Sequence, residues 1–194
     1  TSITHPQIIT GLPDLPDTGL AKISLHLSLN NDSRQQQDGN LEISIEPENY
    51  KGNTVHFSRP AGVPASETRM ISLGPDNVPE LNIHQPRLWW PNGHGKPNLY
   101  RIRIRFVQKG KISDDTAFVF GIRTVSSRTE MVNGWVRRDF YVNGKRIQLV
   151  GGAWVPDMML NRDSLRYDYE LHLCRNANVN LVRIWSGGLG ETDD

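Results

Sequence analysis

Two tryptophans, each closing a short apolar run, are the side chains of this 194-residue chain best suited to chemistry. Trp154 ends the run from Ile147 and is followed by Asp157. Trp185 ends the run from Val179 and is followed by Ser186, Gly187 and Gly188. Aromatic faces stack on the C–H surface of a pyranose ring, and their positive edges complement its hydroxyls. Glycines let backbone approach a ligand closely. Together these are the groups of a sugar site. They read also as aromatics of a barrel wall, with glycines that only turn the chain, and residue types alone leave both readings open.

The elements that must position these groups are legible around them. A turn at Asn143-Gly144 precedes the first run. Between the two runs, Ser164 to Ala177 has helical period, with Asp163 placed to cap its N-terminus and Asn178 to stop it. Leu165, Tyr169, Leu171 and Cys174 fall on adjacent helix faces. Strand, helix, strand is a βαβ unit, right-handed when both strands share a sheet. Parallel sheets bind ligands beyond the C-terminal ends of their strands, where Trp154 with Asp157 and Trp185 with its glycines lie.

The chain before residue 122 has a different texture. Residues 1 to 18, with Pro13 and Pro16, read as an extended lead-in. Ile23, Leu25, Leu27 and Leu29 then alternate with polar residues, as do Leu41, Ile43 and Ile45. Short strands follow at Val55–Phe57, stopped by Pro60, and at Thr68–Leu73, with Leu81 and Ile83 ahead of Pro86. Tyr100, Ile102, Ile104 and Phe106 alternate with Arg101, Arg103 and Arg105, and Gly110 turns that strand into Ile112–Phe120. About seven strands without a convincing helix predict an immunoglobulin-like antiparallel sandwich. The arginine row reads as a solvated face that also discourages edge-to-edge pairing, against the alternative of a stripe for a polyanion. Trp89 and Trp90, beside Pro91-Asn92-Gly93, pin a loop or form a sugar platform. Asn31-Asp32-Ser33 matches a glycosylation sequon.

Several motifs in order carry a resemblance. Phe120 to Val125, FGIRTV, resembles the "FGFRxv" join between sandwich and barrel in glycoside hydrolase family 2, and LWWPNGHGKPNLY resembles that family's "LWWPNGYGEQPLY" element. LVGGAWVPDMML and LVRIWSGGLGE resemble its first and second barrel strands, and the segment from Asp139 to Gln148 resembles the hairpin leading into the barrel. The branch is that of β-mannosidase, endo-β-mannosidase and exo-β-glucosaminidase, from which Ser186 departs, since Gly is usual there. The resemblance implies that Trp154, Asp157, Arg183 and Trp185 bind substrate, with Arg183 close to the nucleophile. It implies no cofactor, a β-mannoside or related β-glycoside as partner, and a periplasmic or secreted setting for the parent protein.

Composition bounds the rest. Hydrophobic content of 37% and charged content of 22% are globular values, and a net charge of +1 predicts no pull toward nucleic acid or anionic membrane. No apolar run approaches the ~20 residues of a membrane span, and TSITHPQIITG lacks the basic and apolar regions of a signal peptide. Cys174 reads as a small buried hydrophobe. The six histidines form no metal-type pair, and no G-x-S-x-G elbow occurs. The expected domains are a sandwich over 1–122 and, over 123–194, the truncated start of a (β/α)8 barrel, which needs ~200 residues or more. Asp157, Glu191, Asp193 and Asp194 sit in no catalytic motif, so the expectation is an inactive fragment. Residues past about 125 are expected to be poorly ordered or covered by another copy of the chain. The reading from another class is an autonomous carbohydrate-binding or protein-contact sandwich.

Overall fold

The computed structural model describes residues 1–154 and 164–184. Eight strands build two antiparallel sheets over the first 120 residues. One contains β1 (Ser2–Gly11), β2 (Leu20–Asn30) and β5 (Thr68–Leu73) in that order, with β6 (Asn82–His84) also paired to β2. The other has the order β4-β3-β7-β8, from β3 (Gln37–Pro47), β4 (Val55–Val63), β7 (Tyr100–Gln108) and β8 (Lys111–Phe120). The period-two pattern dictates the packing. Ile23, Leu25, Leu27 and Leu29 from one sheet and Leu41, Ile43, Ile45, Ile102, Ile104 and Phe106 from the other fill a single core. Each such side chain contributes about 1.5–3 kcal/mol by leaving water.

Two details of the sandwich differ from the sequence expectation, and a third lies beyond it. Residues 2–11 are a full strand rather than a lead-in. A bulge between Thr4 and Gln7, with His5 at φ 51°, absorbs the irregularity around Pro6. Strand β4 runs through Pro60 instead of stopping there; it is an edge strand, where a missing N–H costs little. On β8 the half-buried side chains are Asp114, Thr116, Phe118 and Phe120, so Ile112 and Val119 face outward, and Asp114 accepts from the Ile3 N–H at 2.6 Å.

The arginine row is solvent-facing as expected, but β7 lies between β3 and β8, so it guards no edge. Its charges are answered locally. Arg101 donates twice to Glu48, both at 2.7 Å, and Arg103 and Arg105 both reach Asp115. Hydrogen bonding from these arginines holds the Glu48 and Asp115 carboxyls below their ordinary range. Burial beside Tyr100 pushes the Tyr50 phenol upward.

Asn31 is buried, and its amide nitrogen donates toward the carbonyls of Gln35, Val63 and Pro64 while its oxygen accepts from Ser33. It closes the bend between β2 and β3.

After the sandwich come a three-stranded antiparallel sheet and a parallel pair. Strands β9 (Val125–Val132), β10 (Trp135–Val142) and β11 (Lys145–Ile147) are arranged β11-β10-β9. Both hairpin turns place Asn then Gly at positive φ, Asn133-Gly134 and Asn143-Gly144, the geometry that matches strand twist. Strand β12 (Gly151–Trp154) and β13 (Leu181–Ile184) pair in parallel, and helix α1 (Ser164–Asn176) lies between them in sequence. The described residues past 125 thus form regular elements held by backbone hydrogen bonds. Val142 and Ile147 are buried, but many of their other apolar side chains remain exposed: Trp135 is 80% accessible, Tyr169 64% and Leu173 50%.

Candidate functional site

The parallel pair carries the two described members of the predicted site. Gly151 stands opposite Leu181, and a side chain there would collide with the Leu181 carbonyl, so the close approach of β12 and β13 requires glycine. The register then pairs Ala153 with Arg183 and Trp154 with Ile184. Alternation along a strand therefore puts Trp154 and Arg183 on opposite faces of the pair.

Trp154 belongs to the helix face. Its indole N–H donates to Glu170 at 2.7 Å, and its ring meets Tyr167 edge-on at 5.0 Å. Arg166 donates to the other oxygen of Glu170 at 2.8 Å. The Arg166 hydrogen bond, then that of Trp154, keep the Glu170 carboxyl below its ordinary value. The helix residues turned inward are Tyr167, Glu170 and Cys174, at i, i+3 and i+7; Leu165, Tyr169 and Leu171 face outward instead. Cys174 is half-buried. Arg183, on the other face, is exposed. Asp157 and Trp185, with the capping residue Asp163 and the acidic groups Glu191, Asp193 and Asp194, lie outside the described residues.

Trp89 and Trp90 are engaged elsewhere. Trp89 packs over Gly121, where a Cβ would come within 2.8 Å of its own Cβ, and the Arg123 guanidinium covers the ring at 4.5 Å. An open groove of about 570 Å³ passes this stack, lined by Ile9, Thr10, Val119 and Val125 among others. Trp90 lies against Gly95 and joins the sandwich core, with the Lys145 ammonium 5.2 Å from its ring. The rings are held separately and do not present one shared open face, which favours loop-pinning over a sugar platform.

Three asparagines join these parts through contacts that sequence reasoning did not assign to them. Asn143 is buried at the β10–β11 turn; its oxygen accepts from the Thr124 N–H at 2.9 Å and its nitrogen donates to the Trp89 carbonyl at 3.0 Å. Asn92, in the loop after Trp90, donates to the carbonyls of Arg175 at 2.8 Å and Val179 at 3.2 Å, at the end of α1. Asn180 accepts from the Val150 N–H and donates to the Gln148 carbonyl, both at 2.9 Å. Asn178 is the helix stop the sequence predicts: it has φ 59°, the Val179 N–H bonds the Cys174 carbonyl, and the Asn178 N–H bonds that of Arg175. The signal for Asn143 was its Asn-Gly pair; Asn92 and Asn180 act on partners 83 and 30 residues distant and leave no local trace.

Among the described residues, no group of three or more His, Cys, Asp or Glu is arranged to hold a metal ion, and no helix is long and apolar enough to cross a membrane.

Residues 1–123 match the family described as "Glycosyl hydrolases family 2". A β-mannosidase of Mus musculus is 34% identical across the whole of this chain, which covers 22% of that protein. An exo-β-D-glucosaminidase of Streptomyces avermitilis is 29% identical over 94% of the chain and 19% of its own length. The chain therefore spans about a fifth of the length of these relatives. Among solved structures, the crystal structure of Amycolatopsis orientalis exo-chitosanase CsxA superposes with a TM-score of 0.76 at 21% identity, over 97% of this chain and 20% of that one. That likeness concerns the fold.

Proposed function

Because the chain belongs to the glycosyl hydrolases family 2, we propose that it forms part of a β-mannosidase-like enzyme that hydrolyses β-glycosidic bonds with retention. In this reading residues 1–122 are a supporting immunoglobulin-like sandwich, and 123–194 begin a (β/α)8 barrel whose first two parallel strands are β12 and β13. The observation that carries the reading is the likeness to a β-mannosidase along the entire chain, from the sandwich through β12, α1 and β13.

Retaining hydrolysis uses two carboxyl groups about 5–5.5 Å apart, one as acid/base and one as nucleophile. No Asn-Glu pair of the kind that holds the acid/base in this family occurs in the sequence. The reactive pair of the whole enzyme then lies outside this stretch, and the stretch alone is non-catalytic. Arg183 faces the substrate side, where a guanidinium keeps a neighbouring carboxylate ionised. Asp157 and Trp185, next in sequence after those two strands, are assigned to contact with the sugar. Trp154 lies on the opposite, helix-side face of the pair, fixed by Glu170 and Tyr167, and supports that wall from behind.

The test is hydrolysis of aryl β-mannoside, β-glucosaminide and β-galactoside, by this chain and by the whole protein that contains it. The expected result is turnover by the whole protein, fastest on the mannoside, and none by the chain. Turnover by the isolated chain overturns the assignment of the carboxyl pair to other parts of the enzyme, and a whole protein inert on all three overturns the glycosidase reading.

A further inference from the structure

We infer that the sandwich loop Pro91–His94 is a positioning element for the strand pair that bears Arg183, acting through the Asn92 side-chain amide. The inference rests on the reading of Arg183 as a substrate-side residue only for its functional meaning; the joint itself stands on geometry. Helix α1 buries none of its side chains, so apolar packing does little to fix where it ends. Its final carbonyls lack partners within the helix and carry the negative end of the dipole. The helix stop uses the Cys174 and Arg175 carbonyls. Asn92 adds a donor shared between Arg175, still in the helix, and Val179, already past the turn. One amide from the sandwich thereby clamps the exit from α1.

The next residue extends the clamp. Asn180 Nδ2 lies 3.3 Å from His94 Nε2, on the same loop, so a neutral His94 with its proton on Nδ1 accepts from it. Asn180 also ties the start of β13 to the start of β12, through the Val150 N–H and the Gln148 carbonyl. Arg183 follows three residues later, about 10 Å along an extended strand. Just ahead of that loop, the Trp89 N–H donates to the Ile122 carbonyl and anchors its start to the sandwich. A continuous set of hydrogen bonds therefore runs from the sandwich edge to the base of the strand that carries Arg183.

Hydrogen exchange on the full chain tests this, comparing the wild type with Asn92→Ala and Asn92→Asp. The amides of Val150, Val179 and Leu181 report on the joint, and those of Ile43 and Ile104 on the sandwich core. Losing this shared side-chain donor should speed exchange at the three joint amides by about tenfold, with the core amides unchanged. Asn92→Asp should exceed Asn92→Ala, because it sets a carboxylate against two carbonyls at the negative helix end, an ordering that loss of packing alone does not produce. Unchanged joint amides overturn the inference, as does Asn92→Asp exchanging like wild type, or a rise shared equally with Ile43 and Ile104. The measurement needs no sugar, so an inert whole protein defeats the glycosidase reading alone, and flat exchange defeats the joint alone.

Discussion

In the sandwich, Ile23, Leu25, Ile43, Ile102 and Ile104 are fully buried, whereas α1 buries none of its thirteen residues and β12 and β13 stay largely open. Both regions are regular. They differ in what makes them so. The sandwich has two sheets whose apolar faces cover each other, so burial pays for order. The strand–helix–strand region has one layer of each kind and relies on polar contacts: Trp154 to Glu170, Asn180 across the strand starts, and Asn92 at the helix end. Its apolar side chains, Leu165, Leu173 and Ile184 among them, stay open to solvent.

The contrast is sharpest in its response to truncation. Ile104→Ala should cost about 2–5 kcal/mol of unfolding free energy, through lost transfer energy plus the cavity left behind. Leu173→Ala, half exposed on α1, should stay within about 0.5 kcal/mol. Denaturant titration of both variants checks this, and equal losses would erase the distinction between the regions. Asn143→Ala should fall between them, at about 1–3 kcal/mol, because it leaves the Thr124 N–H and the Trp89 carbonyl without partners where sandwich and hairpin meet. A neutral result would mean that this buried turn adds nothing to the connection.

The smallest effect belongs to acid. The folded-state carboxyl of Glu170 titrates below its ordinary value, so its contribution is complete above the unfolded value and is lost as pH falls through the folded one. Trp154 emission should therefore shift below about pH 4 while the core-dependent circular dichroism of the strands holds. A Glu170→Gln variant, which keeps an acceptor but no charge, should flatten that transition. A transition that survives the substitution would assign it to another group.

The alternation at 23–29, 41–45 and 100–106 was legible because each of those strands has one wet and one dry face, which writes period two into the sequence. Strand β1 was not, since the bulge at His5 and Pro6 shifts the pattern midway. The β9–β10 hairpin was missed although Asn133-Gly134 signals it, because most of its side chains are exposed and nothing alternates. The strand–helix–strand order around the candidate site could be read from the spacing of its runs. The separation of Trp154 from Arg183 could not, since it depends on register: Trp154 faces Ile184, one position from Arg183. Asn92, Asn143 and Asn180 look like ordinary loop residues until the fold brings distant carbonyls to them.

Asn31 illustrates how folding decides which chemistry a sequence offers. Attachment of a glycan requires the amide nitrogen of the sequon to be accessible to an enzyme, and here that nitrogen is enclosed and already shared among three main-chain oxygens. Once the bend has formed, the tripeptide Asn31-Asp32-Ser33 serves as a fastening rather than an address.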